Sequence, residues 1–128
     1  MPLITLTILK PKSSAFKTTV LGAVHRALVA AGVPEKDRFH RVLELDHEDF
    51  RFDPDYPDLT TARDRDFALI EILLSVGRSV KIKRKIIEDI VAELESGPLL
   101  LNREKVMIVF KETSWENWAF GGGRQIHV

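Results

Sequence analysis

The hydrophobic and polar positions in the first third of the chain change their period twice. Residues 2–9 (PLITLTIL) alternate between the two classes, which is typical of a half-buried strand. Apolar residues then recur at intervals of three and four over 16–31, which predicts a helix that either of two preceding serines, Ser13 or Ser14, can cap. A Gly-Val-Pro sequence ends this helix, and residues 40–46 (HRVLELD) return to the strand pattern. The first unit is therefore predicted to be strand, helix, strand.

The second half of the chain repeats this order. A strand is predicted over 67–76, a helix carries apolar residues from Ile82 to Leu94, and a further strand covers 105–112. An offset of 66 residues superimposes the apolar positions of the two halves. In the leading strands, Ile4, Leu6 and Ile8 fall on Ile70, Ile72 and Leu74. This coincidence indicates a duplicated unit; periodicity shared by any two such units is the alternative, and both interpretations predict the same fold class.

Two strand-helix-strand units predict an α/β (α+β) fold. Each unit is expected to hold two parallel strands with a right-handed crossover, and together they give a four-stranded sheet with both helices on one face. Residues 67–70 (FALI) are apolar on both faces of their strand, and the chain has no third helix to cover the second face. Association of chains through their sheets is therefore expected. We expect a single domain over 1–128, with units at about 2–46 and 67–112, a connecting loop 47–66 and a tail 113–128.

Composition removes several classes of function. The 19 basic and 19 acidic residues cancel, so no overall field steers the chain onto nucleic acid or an anionic membrane. The absence of cysteine excludes disulfides, thiolate nucleophiles and cysteine-bound metals, and the four histidines show no ligand spacing. No metal and no cofactor are predicted. With no secretory signal and no apolar run of about 18 residues, the chain is expected to be cytoplasmic.

The connecting loop 47–66 is long for a compact domain. It contains two prolines, several acidic residues and the aromatic residues Phe50, Phe52 and Tyr56. Loops of this length tend to be functional or mobile. The alternative is a solvent-exposed acidic loop without a specific function, because such charges are ordinary in surface loops.

Pro2 is the one position placed for unusual chemistry by its location. A small second residue normally permits removal of Met1, which leaves a secondary amine at the start of the first strand. An α-amine has a reference pKa of about 8, so it can serve as base or acid near neutral pH. The alternative is a proline without a chemical role, since one proline is not a specific signal.

Several motifs resemble those of the tautomerase superfamily. The second half, with LLSVGRS before its helix and KVMIVFKET and WAFGGG after it, is similar to one subunit of 4-oxalocrotonate tautomerase. Nearly the whole chain resembles the malonate semialdehyde decarboxylase branch, in which two such units are fused. Residues 31–39 (AGVPEKDRF) resemble its GVP-x-x-DR stretch, and residues 118–124 (WAFGGGR) resemble its W-x-F-G-x-G-R tail. The common order and spacing of these motifs make the resemblance specific.

The resemblance implies roles for five residues and a homotrimeric assembly. Pro2, Asp37 and Arg78 are expected to be catalytic. Pro2 handles the proton, Asp37 lies beside it, and Arg78 binds the carboxylate of a small substrate, a role that suits the paired N–H groups of a guanidinium. Trp118 and Phe120 are expected to bind substrate as walls of the pocket.

Structural interpretations of the same residues stay open. Asp37 can form a turn after the first helix, and Arg78 can be a solvated residue before the second. Trp118 and Phe120, spaced two apart, can face the core from a terminal hairpin. A further basic residue, Lys12, occupies the place of Arg78 in the first unit at the 66-residue offset and is a weaker candidate for a second carboxylate anchor.

The chain departs from the decarboxylase pattern at Val80, where that branch has a second arginine. Val80 favours an isomerase, in which neutral Pro2 moves a proton between carbon centres of a 2-keto or enol acid. The alternative is a lyase or hydratase, in which a cationic Pro2 polarises a carbonyl and Asp37 stabilises that cation or orients water. A third hypothesis is a non-catalytic trimeric binding protein, which retention of Met1 would favour.

Overall fold

The computed structural model describes residues 2–125, which contain four strands and two long helices. Each half of the chain contributes a strand, a helix and a strand, followed by a more irregular segment. The elements are β1 (Leu3–Leu9), α1 (Ser14–Ala30), β2 (Phe39–Leu45), β3 (Ala68–Ser75), α2 (Val80–Ser96) and β4 (Val106–Thr113), with 3₁₀ turns at Arg103–Lys105 and Trp115–Asn117. The predicted order of elements is confirmed, and every boundary lies within two residues of its expected place.

The four strands form one mixed sheet in the order β2-β1-β3-β4. The pairs β1–β2 and β3–β4 are parallel, as the crossover within each unit predicts. The two central strands, β1 and β3, are antiparallel, with Thr5 opposite Glu71. The first unit is therefore turned end for end relative to the second, and β1 begins where β3 ends.

The two helices have the same length and the same kind of start. Each contains 17 residues, and they begin 66 residues apart, at Ser14 and Val80. The hydroxyls of Ser13 and Ser79 each accept the N–H of the residue three positions on, at 3.0 and 3.1 Å, which satisfies one free donor of each first turn. Ser13, and not Ser14, is therefore the cap of α1. No helix in the described residues is long and apolar enough to cross a lipid bilayer.

The core fills the space between the two helices and one face of the sheet. Alternate residues of the central strands are fully buried there: Ile4, Leu6, Ile8, Ile70, Ile72 and Leu74. The helices supply Val20, Val24, Leu28, Ile86, Ile90 and Leu94. Burial of one such side chain stabilises the fold by about 1.5–3 kcal/mol. The positions that coincide between the two halves of the sequence are thus the positions that build the core.

The other face of the sheet, which we call the open face, has no helix over it in residues 2–125. Phe39, Leu43 and Met107 belong to this face and are 48%, 42% and 45% exposed. Large apolar side chains that remain exposed on one face of a sheet indicate an interaction surface. The expectation of a four-stranded sheet with both helices on one face is confirmed.

Two residues of the 3₁₀ turn just before β4 hold the connecting loop 47–66 in place. The Glu104 carboxylate accepts the backbone N–H groups of Thr60 and Thr61 at 3.1 and 2.6 Å. The ammonium of Lys105 donates to the Asp64 carboxylate at 2.8 Å. The loop is therefore attached to the sheet by charged side chains near its C-terminal end.

Candidate active site

The head of β1 lies at an end of the sheet where four segments of the chain meet. Leu3 pairs with Phe39 of β2 on one side and with Leu73 of β3 on the other. Pro2, immediately before Leu3, therefore lies near the loop that precedes β2 and the loop that follows β3. β4 runs parallel to β3 and ends here as well. The topology thus brings the regions of all the predicted site residues to one end of the sheet.

The tail that follows β4 forms a small cavity at this end. The rings of Trp118 and Phe120 are stacked, with centroids 5.6 Å apart and an interplanar angle of 11°, and Phe120 lies 6.2 Å from the ring of Phe39. These rings and Leu3 line a cavity of about 200 Å³. A 3₁₀ turn at Trp115–Asn117 leads into this segment. The two aromatic residues therefore line a cavity, and the alternative of a core-facing hairpin does not describe them.

Pro2 is buried beside this cavity. It directly precedes Leu3, whose side chain is part of the cavity lining. While Met1 is attached, the Pro2 nitrogen belongs to a peptide bond and has no basic lone pair. Removal of Met1 converts this nitrogen into a secondary amine.

Asp37 lies in the turn between α1 and β2. Gly32, with φ of +104°, lets the chain leave α1 in a conformation that favours glycine. The turn itself is closed by backbone, since the Asp37 N–H donates to the Pro34 carbonyl at 3.0 Å. Both carboxylate oxygens of Asp37 are shielded from solvent. A carboxylate so shielded acts more strongly on neighbouring charges than one in water.

Arg78 lies just before α2, one residue ahead of the cap. Gly77, with φ of +123°, forms the bend out of β3 that places it there. The half-buried guanidinium donates from Nη1 to the Ser75 carbonyl at 3.5 Å, the long limit for a hydrogen bond. Because a guanidinium has five N–H donors, this contact leaves most of them available. Among the described residues, Arg78 does not line the aromatic cavity.

Sequence patterns did not identify two polar atoms at this end of the sheet. Ser75 is fully buried, and its hydroxyl oxygen has no hydrogen-bond partner among the described residues; the same is true of the indole N–H of Trp118. Shielded polar atoms normally have a partner, so each is a candidate contact for water or ligand. A single serine at the end of an apolar strand carries no sequence signal of this kind.

Within one chain, Lys12 does not lie near Arg78, so it is not a second carboxylate anchor there. β1 carries the chain to the opposite end of the sheet before Lys12 is reached. There the side chain is 7% exposed, and its ammonium donates to the carbonyls of Arg65 and Leu9 at 2.6 and 3.2 Å. Lys12 is therefore too far along the sheet to assist Arg78 within the same chain.

A pair of histidines lies on the helix side of β2. His25 of α1 is 8% exposed, and both of its ring nitrogens are shielded without a partner in residues 2–125. Its ring meets His40 edge to face at 5.7 Å. The pKa of His40 is lowered by burial first, and then by the charges of His25 and Arg38. The neutral form of His40 is therefore favoured. No three histidine, aspartate or glutamate side chains of the described residues converge as metal ligands do.

Comparison with known proteins identifies the family. The model of the tautomerase enzyme family matches residues 37–121, a range that begins at Asp37 and includes Arg78, Trp118 and Phe120. The chain belongs to this tautomerase family of enzymes. None of the curated proteins matches the sequence.

Solved structures extend the likeness over nearly the whole chain. A malonate semialdehyde decarboxylase, described with decarboxylase and hydratase activities, is 25% identical with a TM-score of 0.86, over 96% of this chain and 93% of that one. FG41 malonate semialdehyde decarboxylase, inhibited by 3-bromopropiolate, is also 25% identical with a TM-score of 0.87, over 98% and 93%. A fused 4-OT that forms a symmetric trimer is 21% identical with a TM-score of 0.73, over 95% and 94%, and shares the fold.

Proposed function

We propose that this protein is a keto-enol tautomerase that uses the Pro2 amine, after loss of Met1, as its acid/base group on a small 2-keto or enol carboxylic acid. One observation carries the proposal: Pro2 is buried at the head of β1, directly before a residue that lines the cavity of Trp118 and Phe120. An amine there adjoins a small aromatic cavity. Membership of a tautomerase enzyme family supports the assignment.

In this reaction Pro2 acts in its neutral form. It accepts a proton at one position of the substrate and returns it at another, so the double bond moves and no atom is gained or lost. Burial disfavours the ammonium form of an amine, and its reference pKa is only about 8. A buried Pro2 amine is therefore suited to act as a base near neutral pH.

Arg78 is proposed to bind the substrate carboxylate. Its contact with the Ser75 carbonyl is long, whereas a carboxylate forms shorter, charge-assisted bonds with a guanidinium. A bound substrate therefore competes well for the side chain. The Trp118 indole N–H and the Ser75 hydroxyl, both without partners among the described residues, are proposed contacts for the keto or enol oxygen.

A decarboxylase or hydratase is the second candidate. It is favoured by TM-scores of 0.86 and 0.87 against two malonate semialdehyde decarboxylases, compared with 0.73 for the fused 4-OT. The shielded carboxylate of Asp37 would favour a cationic Pro2, which polarises the carbonyl of a 3-oxo acid while carbon dioxide leaves. Val80, in place of a second arginine, removes one carboxylate anchor and counts against this candidate.

The proposed function is tested by the mass of the purified chain and by its pH–rate profile. We expect a mass without Met1, and a rate with an enol-pyruvate substrate that rises with pH through the pKa of the amine. Pro2→Ala keeps a primary amine, so activity should fall without vanishing, whereas alkylation of the nitrogen should abolish it. Pro34→Ala, at an exposed proline in the turn before β2, is the matched control.

Two results would change the assignment. Activity that declines as pH rises, with carbon dioxide released from malonate semialdehyde, would establish the decarboxylase instead, and Asp37→Asn should then move that decline to lower pH. A mass that retains Met1 would exclude both enzymes and leave a non-catalytic binding protein.

A further inference from the structure

A second cavity lies at the opposite end of the sheet, where β3 begins. Its volume is about 280 Å³. Leu69 and Met107 come from the sheet, Phe67 immediately precedes β3, and Phe50 and Phe52 come from loop 47–66. The three phenylalanine rings pack on one another, with centroids 4.5 to 5.6 Å apart. The loop and the sheet therefore form an aromatic cavity without any bound ligand.

This second cavity is the counterpart of the one at Pro2. At the 66-residue offset, Leu3 corresponds to Leu69 and Phe52 to Trp118. Leu3 and Trp118 line the cavity at Pro2, and their counterparts Leu69 and Phe52 line the second cavity. The antiparallel pairing of β1 with β3 places the two cavities at opposite ends. At the position of Pro2 stands Ala68, inside the continuous chain. The second cavity therefore has a peptide nitrogen where the first has a potential amine.

The cation that corresponds to Arg78 is not available to a ligand here. Lys12 occupies that place, but its ammonium already donates to two backbone carbonyls and lies 3.8 Å from the Asp66 carboxylate. A buried ammonium with these partners is satisfied. Any positive charge for a ligand must come from another residue.

Arg63, on loop 47–66, supplies that charge. Its guanidinium lies over the Phe67 ring, with Cζ 5.4 Å from the centroid, and Nη1 donates to the Asp53 carbonyl at 2.8 Å. Nε is shielded from solvent and has no acceptor in residues 2–125. Nε and Nη2 form the edge of a guanidinium that can bind a carboxylate with two parallel hydrogen bonds. The fold thus holds Arg63 in place by one nitrogen and leaves this edge unused.

The acidic residue at this cavity does not compete for Arg63 by hydrogen bonding. The Asp53 carboxylate accepts the backbone N–H groups of Asp55 and Tyr56 at 3.1 and 2.7 Å. Arg51 also lines the cavity, so the charged residues around it carry a net positive charge. An anion is therefore favoured over a neutral or cationic occupant.

We propose that the second cavity binds a small aromatic carboxylate, with its ring against Phe52 and Met107 and its carboxylate on the Nε–Nη2 edge of Arg63. The volume of about 280 Å³ lies below the roughly 300–1,000 Å³ of pockets that hold drug-sized ligands, so the occupant is a single ring with a short acid group. It binds without reacting. This site does not depend on the chemistry proposed for Pro2.

Methionine labelling separates the two cavities in one experiment. The chain has two methionines, and Met107 lines the second cavity, so its ¹³C-labelled methyl group reports that cavity in NMR spectra. The Trp118 indole N–H reports the cavity at Pro2. Benzoate is expected to shift the Met107 signal to saturation, and benzamide, which has a similar shape and no charge, should bind at least about tenfold more weakly. A Met107→Leu variant assigns the signal.

Arginine variants locate the binding charge. Arg63→Gln should weaken the benzoate response of Met107 at least about tenfold, whereas Arg65→Gln, the same change outside the cavity, should leave it unaltered. Arg78→Gln should change only the Trp118 response. The proposal is overturned if benzoate does not move the Met107 signal, if benzamide binds equally well, or if Arg65→Gln weakens binding as much as Arg63→Gln. If circular dichroism shows that Arg63→Gln is unfolded, Phe52→Leu replaces it and must weaken binding.

Discussion

At the scale of single residues, Arg78 gives the most direct test of the proposed substrate class. Arg78→Ala removes a charge-assisted contact worth about 1.5–3 kcal/mol, so kcat/KM for a keto acid should fall by roughly 10- to 150-fold. The measurement is steady-state kinetics on the wild type and the variant. Arg84→Ala, which removes an exposed arginine from the first turns of the helix α2 that follows Arg78, should have little effect. Equal kcat/KM for the wild type and Arg78→Ala would show that the carboxylate binds elsewhere.

His25 is a polar side chain in an apolar setting. Its two shielded nitrogens have no partner among the described residues, and an N–H left without an acceptor costs about 1–3 kcal/mol. His25→Leu, at similar volume and with better helix propensity, should therefore raise the free energy of unfolding by about 1 kcal/mol. Urea denaturation at pH 8 measures it. His47→Leu, at an exposed position, is the control, and a loss of stability in His25→Leu would mean that the imidazole has a partner such as a bound water.

Residues at the site were predicted from the sequence through family resemblance, and their surroundings were not. The stacking of Trp118 on Phe120 and its approach to Phe39 depend on the pairing of Leu3 with Phe39. The periodicity of apolar residues does not predict which strands pair. The same limit applies to Lys12, because the offset that made it a candidate anchor does not specify which end of the sheet each half presents.

At the scale of elements, the attachment of loop 47–66 to β4 should depend on pH. The pKa of Glu104 is held below its usual value, chiefly by the backbone N–H of Thr60, with further hydrogen bonds from the Thr60 hydroxyl and from Thr61. A lowered carboxyl pKa stabilises the folded form above the unfolded value of about 4.3, and this contribution is lost as pH falls through the folded pKa. Amide hydrogen exchange in the loop should therefore accelerate on acidification beyond its intrinsic pH dependence.

A charge-removing variant checks the cause. Glu104→Gln should show faster exchange in the loop at pH 7 and little further change on acidification. Glu95→Gln is the matched control, because the pKa of Glu95 is also lowered, by Arg103, while its contacts lie outside the loop. An unchanged exchange rate in Glu104→Gln would show that other contacts hold the loop.

Strands and helices were predictable because their signal is local. The spacing of apolar residues identified both helices and all four strands, and the Gly-containing stops marked where the helices end. The antiparallel arrangement of β1 and β3 was not predictable, since it is a pairing between units that lie far apart in the chain and whose patterns are alike. The sequence shows the length and the aromatic residues of the connecting loop. Its contacts with Phe67 and Glu104 were not predictable, because they too join residues far apart in the chain.

At the scale of the whole molecule, the open face predicts assembly, and we propose a homotrimer in which each sheet faces the interior. A charge placed on this face should disrupt it: Leu43→Glu puts a carboxylate on the same face of β2 as the exposed Phe39, where burial of a charge is costly. Sedimentation should show a trimer for the wild type and smaller species for the variant.

A matched change on the helix side controls for this result. Ile87, on α2, is 36% exposed, and Ile87→Glu should leave the mass of the assembly unaltered. A wild-type monomer at micromolar concentration would contradict the trimer. Dissociation by both variants alike would instead place the contact outside the open face.

The peptide bond before Ala68 has a consequence for how the two ends of this molecule can change. A chain made of two joined units has one N-terminal amine, so the proton transfer that we propose for Pro2 constrains the residues at only one end of each sheet. Substitutions at Phe67 or Arg63 leave that end untouched. Under the proposed function, mutations at the other end can therefore change ligand specificity without altering the residues around Pro2, whereas in two separate, identical units every such mutation would change both ends.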